Sequence, residues 1–119
     1  MCRDVSYYVT PSGEVPMLDF ASSLPARLRS KLEHDLGLVR EDASVFSGPK
    51  TAMVRDGIFE LKTKVSTDKL RSFFFYGPDG SIVFTNAFMK KTRKTPSREI
   101  MRAIRYRQEY LSDTDRRPA

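Results

Sequence analysis

Lys69-Leu70-Arg71-Ser72-Phe73-Phe74-Phe75-Tyr76-Gly77-Pro78-Asp79-Gly80-Ser81-Ile82-Val83-Phe84-Thr85-Asn86-Ala87-Phe88-Met89-Lys90 reads as two strands around one turn. Both arms are rich in aromatic or β-branched residues, which fit a pleated, packed surface. Between them, Pro78 is preset for the second position of a tight turn and Gly80 tolerates a positive φ, so the arms return antiparallel. Upstream, Gly57 to Val65 alternates, with Phe59, Leu61 and Val65 on one face and Glu60, Lys62 and Lys64 on the other. That pattern predicts a half-buried strand with charge on its open side, completing a three-stranded meander.

Residues 39–56 lose periodicity and include Ser47-Gly48-Pro49-Lys50, which predicts a surface connection. Before them, Met17, Phe20, Ala21 and Leu24 follow helical spacing, and Leu24, Leu28, Leu32 and Leu36 continue it to Gly37, an expected helix stop. Pro25 kinks or divides this run into two helices, and the leucine stripe reads as core. Asp4 to Thr10 reads as a short first strand closed by Pro11-Ser12-Gly13.

Downstream, Phe88 to Arg98 holds five cationic side chains and no acidic one. Thr95 is placed to cap a last helix with Pro96 at its first position. Its apolar stripe is Ile100, Ala103, Ile104, Tyr110 and Leu111, with Arg98, Arg102, Arg105 and Arg107 mostly on other faces. Residues 112–119 form a polar tail expected to be loosely ordered. The reading is one α+β domain over residues 1–119 in the order β-α-α-β-β-β-α. Two N-terminal helices and one C-terminal helix would lie against one face of a small antiparallel sheet.

The 119 residues suit a single core. No apolar run approaches the roughly 20 residues that cross a bilayer. The N-terminus lacks a secretory h-region, so the cytoplasm is the expected compartment and no membrane partner is expected. Cys2 is the sole cysteine and His34 the sole histidine, which argues against a disulfide, a zinc site or a histidine triad; no metal or cofactor is expected. The net charge of +6 is lopsided: residues 1–56 carry −1 and residues 57–119 carry +7. A one-sided basic field steers a protein toward polyanions, although a solvated basic face would look the same.

If helices cover one sheet face, the other can present Glu60, Lys62 and Lys64 with Arg71 and Lys90 or Lys91 from neighbouring strands. Strand parity alone does not place Arg71 on that face. RNA cleavage by the ribose 2'-hydroxyl needs that hydroxyl deprotonated, the phosphorane charge stabilised and the leaving 5'-oxygen protonated. Clustered lysines can supply base and charge, and a guanidinium can hold two phosphate oxygens. Glu60 is either a base or, the favoured reading, a partner for a neighbouring lysine.

Asp56-Gly57-Ile58-Phe59-Glu60-Leu61-Lys62, Arg71 in an aromatic strand, Ala87-Phe88-Met89-Lys90-Lys91-Thr92-Arg93-Lys94-Thr95-Pro96, then Glu99-Ile100 and Ala103 to Tyr110 resemble the RelE/ParE toxin superfamily, specifically its HigB-like, phage-associated branch. The resemblance covers about residues 56–111, and the Phe-x-Lys-Lys-Thr-x-Lys-Thr-Pro string is its specific part. It implies a RelE-like fold and the toxin of a type II toxin-antitoxin pair, a metal-independent endoribonuclease that cuts mRNA on the ribosome. The implied partners are the ribosome, mRNA and a helix-turn-helix antitoxin that forms a hetero-oligomer with an otherwise monomeric toxin. Matching positions suggest Lys62, Arg71, Lys90 and Lys91 as the catalytic set, with Glu60, Lys64, Arg93, Lys94 and Arg98 around the RNA. Lys62 stands where Arg is common, Leu70 where Tyr is common and Ala87 where Gly is common. Tyr106 and Tyr110, which match a C-terminal tyrosine used by some relatives, read as packing. The alternatives are a ParE-like inhibitor of DNA gyrase and a non-catalytic basic nucleic-acid-binding module.

Overall fold

A computed structural model describes residues 4–41 and 48–112. The elements are β1 (Val5–Tyr7), α1 (Pro16–Ser22), α2 (Ala26–Glu41), β2 (Thr51–Arg55), β3 (Ile58–Val65), β4 (Asp68–Tyr76), β5 (Ile82–Lys90) and α3 (Ser97–Ser112). Cys2 and residues 113–119 of the tail lie outside the described residues. The class is α+β, as expected, but the architecture differs from the expected one in three ways.

First, residues 51–55 are a strand, not part of a connection. β2 pairs antiparallel with β3 across Asp56-Gly57, whose φ values of 51° and 80° suit the two-residue hairpin turn that Asp-Gly favours. Second, the sheet is mixed. Its order is β1-β5-β4-β3-β2, and β1 runs parallel to β5, with Val5 opposite Ile82 and Tyr7 opposite Phe84. Third, the helices occupy both faces. Met17 of α1 and Val39 of α2 pack on one side with Leu61, Phe74 and Phe84, while Ala103 of α3 packs on the other with Ile58, Phe73, Phe75 and Val83. The unbroken Phe73-Phe74-Phe75 run is what a strand covered on both faces requires, and all three rings are fully buried.

The Gly77–Gly80 turn forms as expected. Gly80 donates to the Gly77 carbonyl at 3.0 Å with φ +83°, and Asp79 accepts from the Ser81 backbone and hydroxyl. Pro25 divides α1 from α2. Gly37 does not stop α2, which runs on to Glu41 because the next turn buries Val39 completely. The Pro96 carbonyl accepts the first bonds of α3, from Glu99 and Ile100, so that helix starts one residue later than expected.

α2 is fixed to the sheet by one buried carboxylate. Asp35 accepts hydrogen bonds from Lys31 Nζ at 3.0 Å, Lys50 Nζ at 3.2 Å and Thr63 Oγ1 at 2.8 Å. Burial pushes its pKa up, but the hydrogen bonds from Lys31, Thr63 and Lys50, with the charge of Lys50, outweigh it and leave the carboxyl below its ordinary value.

Candidate nucleic-acid interface

The β3–β4 hairpin turns on two residues, Ser66 and Thr67, with Ser66 at φ 56°. Its register sets Lys62 opposite Arg71 and Lys64 opposite Lys69. In the neighbouring pair, Arg71 faces Phe88 and Lys69 faces Lys90. Phe73 lies under α3, and the two-residue alternation along β4 then puts Arg71 and Lys69 on that same sheet face. The parity question is thereby answered: Arg71 shares a face with Glu60, Lys62 and Lys64.

A bulge brings β5 into this arrangement. Its register shifts between Ser72 and Phe74 of β4, so that Phe84 points toward α2 whereas Phe88 points toward α3. Without the extra residue, Phe88 and Lys90 would lie on the opposite face. Asn86, within the bulge, donates to the Glu99 carbonyl at 3.3 Å and to Glu99 Oε1 at 3.2 Å, which ties the irregularity to the first turn of α3. This device was not legible beforehand.

The α3 side of the sheet therefore has two halves. Ile58, Phe73, Phe75 and Val83 lie beneath the helix. Beyond it, one row holds Lys62, Arg71 and Phe88, and the next holds Lys64, Lys69 and Lys90. Side chains directly opposite sit about 4.5–5.5 Å apart at Cβ, and diagonal ones such as Arg71 and Lys90 about 7–8 Å. Three lysines abreast repel one another.

The inner pair is the less exposed. Arg71 Nε stands 3.5 Å from Glu60 Oε1, with side chains 11% and 15% exposed. Both of those atoms are buried without a hydrogen bond, while Arg71 Nη1 donates to the Leu70 carbonyl at 3.2 Å. Glu60 thus takes a pairing role, but with Arg71 across the β3–β4 ladder and not with the expected lysine. Lys90 and Lys91 join Thr67, Lys69, Thr92 and Arg93 around an open depression. Lys94 is exposed in the following loop, where its carbonyl accepts from Thr92 Oγ1. Arg98 is turned to Glu99 at 3.9 Å on α3, so neither lines that depression. Lys69 was missed, although pairing across a two-residue turn after Val65 would have placed it beside Lys64. Tyr106 stacks on Tyr8 at 4.6 Å and Tyr110 meets Phe75 edge-on at 5.4 Å, as packing residues do.

Among the described residues no helix is long and apolar enough to cross a membrane. No curated protein matches the chain. The family described as phage-derived protein Gp49-like (DUF891), toxin-like in general character, matches residues 19–108, from α1 to the last turns of α3 and including the whole cationic strip. The chain belongs to this Gp49-like family.

Proposed function

We propose that this protein is the toxin of a type II toxin-antitoxin pair and acts as a ribosome-dependent mRNA endonuclease. The carrying observation is the half-buried Lys62–Arg71 cross-strand pair, with Glu60 beside Arg71, opening onto a cationic strip that α3 leaves uncovered. Membership of a toxin-like family supports the same reading.

In the proposed reaction the 2'-hydroxyl attacks the adjacent phosphorus, the P–O5' bond breaks, and a 2',3'-cyclic phosphate and a 5'-hydroxyl result. The proton that leaves the 2'-oxygen passes to a base, and the 5'-oxygen takes one from an ammonium group of the strip or from water. Arg71 presents a guanidinium to the charge that grows on the non-bridging oxygens, held in orientation by the Leu70 carbonyl and Glu60. Lys90 and Lys91 grip the phosphate. Lys62, directly opposite Arg71, accepts the 2'-proton or adds a second positive charge to the same phosphorane. A helix-turn-helix antitoxin covering the strip would block access to it.

Purified protein added to translating ribosomes should produce new mRNA 5' ends, and the Lys90→Ala/Lys91→Ala double variant should not. Intact message at an excess of protein would refute the enzyme reading. Inhibited DNA supercoiling with whole message would instead identify a gyrase inhibitor.

A further inference from the structure

We propose that the open end of the strip is a second phosphate subsite, separate from the Lys62–Arg71 pair. It would hold the backbone phosphate of single-stranded RNA one nucleotide away from the bond being cut, and in this it rests on the RNA reading above. Lys90 and Lys91, which also face the phosphate under attack, form its inner wall, and Thr67, Lys69, Thr92 and Arg93 form its outer one, around a depression of about 410 Å³.

Charge is the first argument. Four of the six lining residues are cationic and none is acidic. Neighbouring carboxylates are turned elsewhere: Asp68 lies 3.7 Å from Arg27, and Glu60 belongs to Arg71. Among the described residues no ion pair reaches Lys64, Lys69, Lys90, Lys91 or Arg93. Like charges set opposite one another weaken a sheet, and a bound anion reverses that effect.

Direction is the second argument. Toward the other end of the sheet the face is closed by Phe73, Phe75 and α3, so a strand seated on Lys62 and Arg71 is turned away from that end and toward the open row. The Lys64–Lys69–Lys90 row lies two residues along from that pair, about 6.6–6.8 Å at the rise of a β-strand. This is the scale of one phosphate-to-phosphate step in a stretched single strand. The outer lysine Lys69 and its neighbours Lys91 and Arg93 are exposed, as suits a hydrated phosphate grip, whereas Arg71 is nearly covered.

The test uses 2'-O-methyl RNA, which cannot be cut by its own ribose, as a dinucleotide with one phosphodiester and as a tetranucleotide with three. Affinity is measured against salt. The wild type should show the steeper salt dependence for the tetranucleotide. Lys69→Ala and Arg93→Ala should each flatten that slope by about 0.7, the share of one phosphate contact on a single strand, and leave dinucleotide binding as it was. Arg40→Ala, which removes the same charge from α2 across the sheet, should change neither slope. Partial unfolding would lower affinity at every salt concentration without flattening the slope. Unchanged tetranucleotide slopes, equal losses on both oligonucleotides, or binding of an acidic peptide with no RNA binding would each overturn the subsite. Because uncleavable RNA needs no chemistry, a wild type that leaves message whole refutes the nuclease and not this binding result.

Discussion

Strand β3 takes part in an acid–base cluster on each face, and the two are completed to different degrees. On the α2 face, Asp35 is fully buried and accepts three hydrogen bonds of 2.8–3.2 Å from two lysines and a threonine. On the α3 face, Glu60 and Arg71 stand 3.5 Å apart, and the two atoms that face each other have no hydrogen bond. The first cluster therefore fastens a helix to the sheet, and the second is an ion pair without a hydrogen bond at the edge of an open cationic strip. Incomplete satisfaction is where a substrate's charge has something to add.

Substitutions should separate the two clusters, the largest effect coming from the incomplete one. Arg71→Ala should slow message cleavage by about 100- to 1,000-fold, the loss typical of removing one donor to a developing oxyanion, as followed by the rate of 5'-end appearance. Next is Asp35→Asn, which removes charge from three hydrogen bonds and should cost about 1.5–3 kcal/mol in urea denaturation, while the folded fraction still cuts. A smaller effect is read in pH. The folded-state pKa of Asp35 lies below its ordinary value of about 3.9. Its stabilisation is thus full above that value and fades as pH falls through the folded one, and in Asp35→Asn this part of the acid loss should vanish from the denaturation midpoints. Smallest is Gly37→Ala in mid-α2, where an added methyl meets nothing within 4 Å. It should stabilise by about 0.5–1 kcal/mol in the same assay and leave cleavage untouched.

These two clusters also mark the limit of what the sequence made legible. The β4–β5 hairpin, its Pro-Asp-Gly turn and the divided N-terminal helices were readable because each depends on neighbours in the chain. β2 was missed because an edge strand that exposes Met53 and Arg55 shows little periodicity, although Asp56-Gly57 was there to signal a hairpin. The parallel β1–β5 pair and the placement of α3 across the sheet from α2 depend on contacts between distant segments. Lys62, Arg71 and Lys90 or Lys91 were expected on one open sheet face, but strand parity left Arg71 undecided, the face is one that α3 partly covers, and Lys90 reaches it only through a bulge at Asn86 that shifts the parity of β5. Asp35 gave no signal among the charges of α2. Its three partners come from α2, from the residue before β2 and from β3.

The most direct measurement takes cleavage rate and urea midpoint from the same preparations of Arg71→Ala and Asp35→Asn. The predicted result is a crossing. Arg71→Ala should stay folded and fail to cut mRNA on translating ribosomes, while Asp35→Asn should unfold at lower urea and cut at the wild-type rate per folded molecule. An Arg71→Ala protein that cuts as fast as the wild type, or an Asp35→Asn protein that loses cleavage to the same extent, would contradict the division between a completed structural cluster and an open functional one.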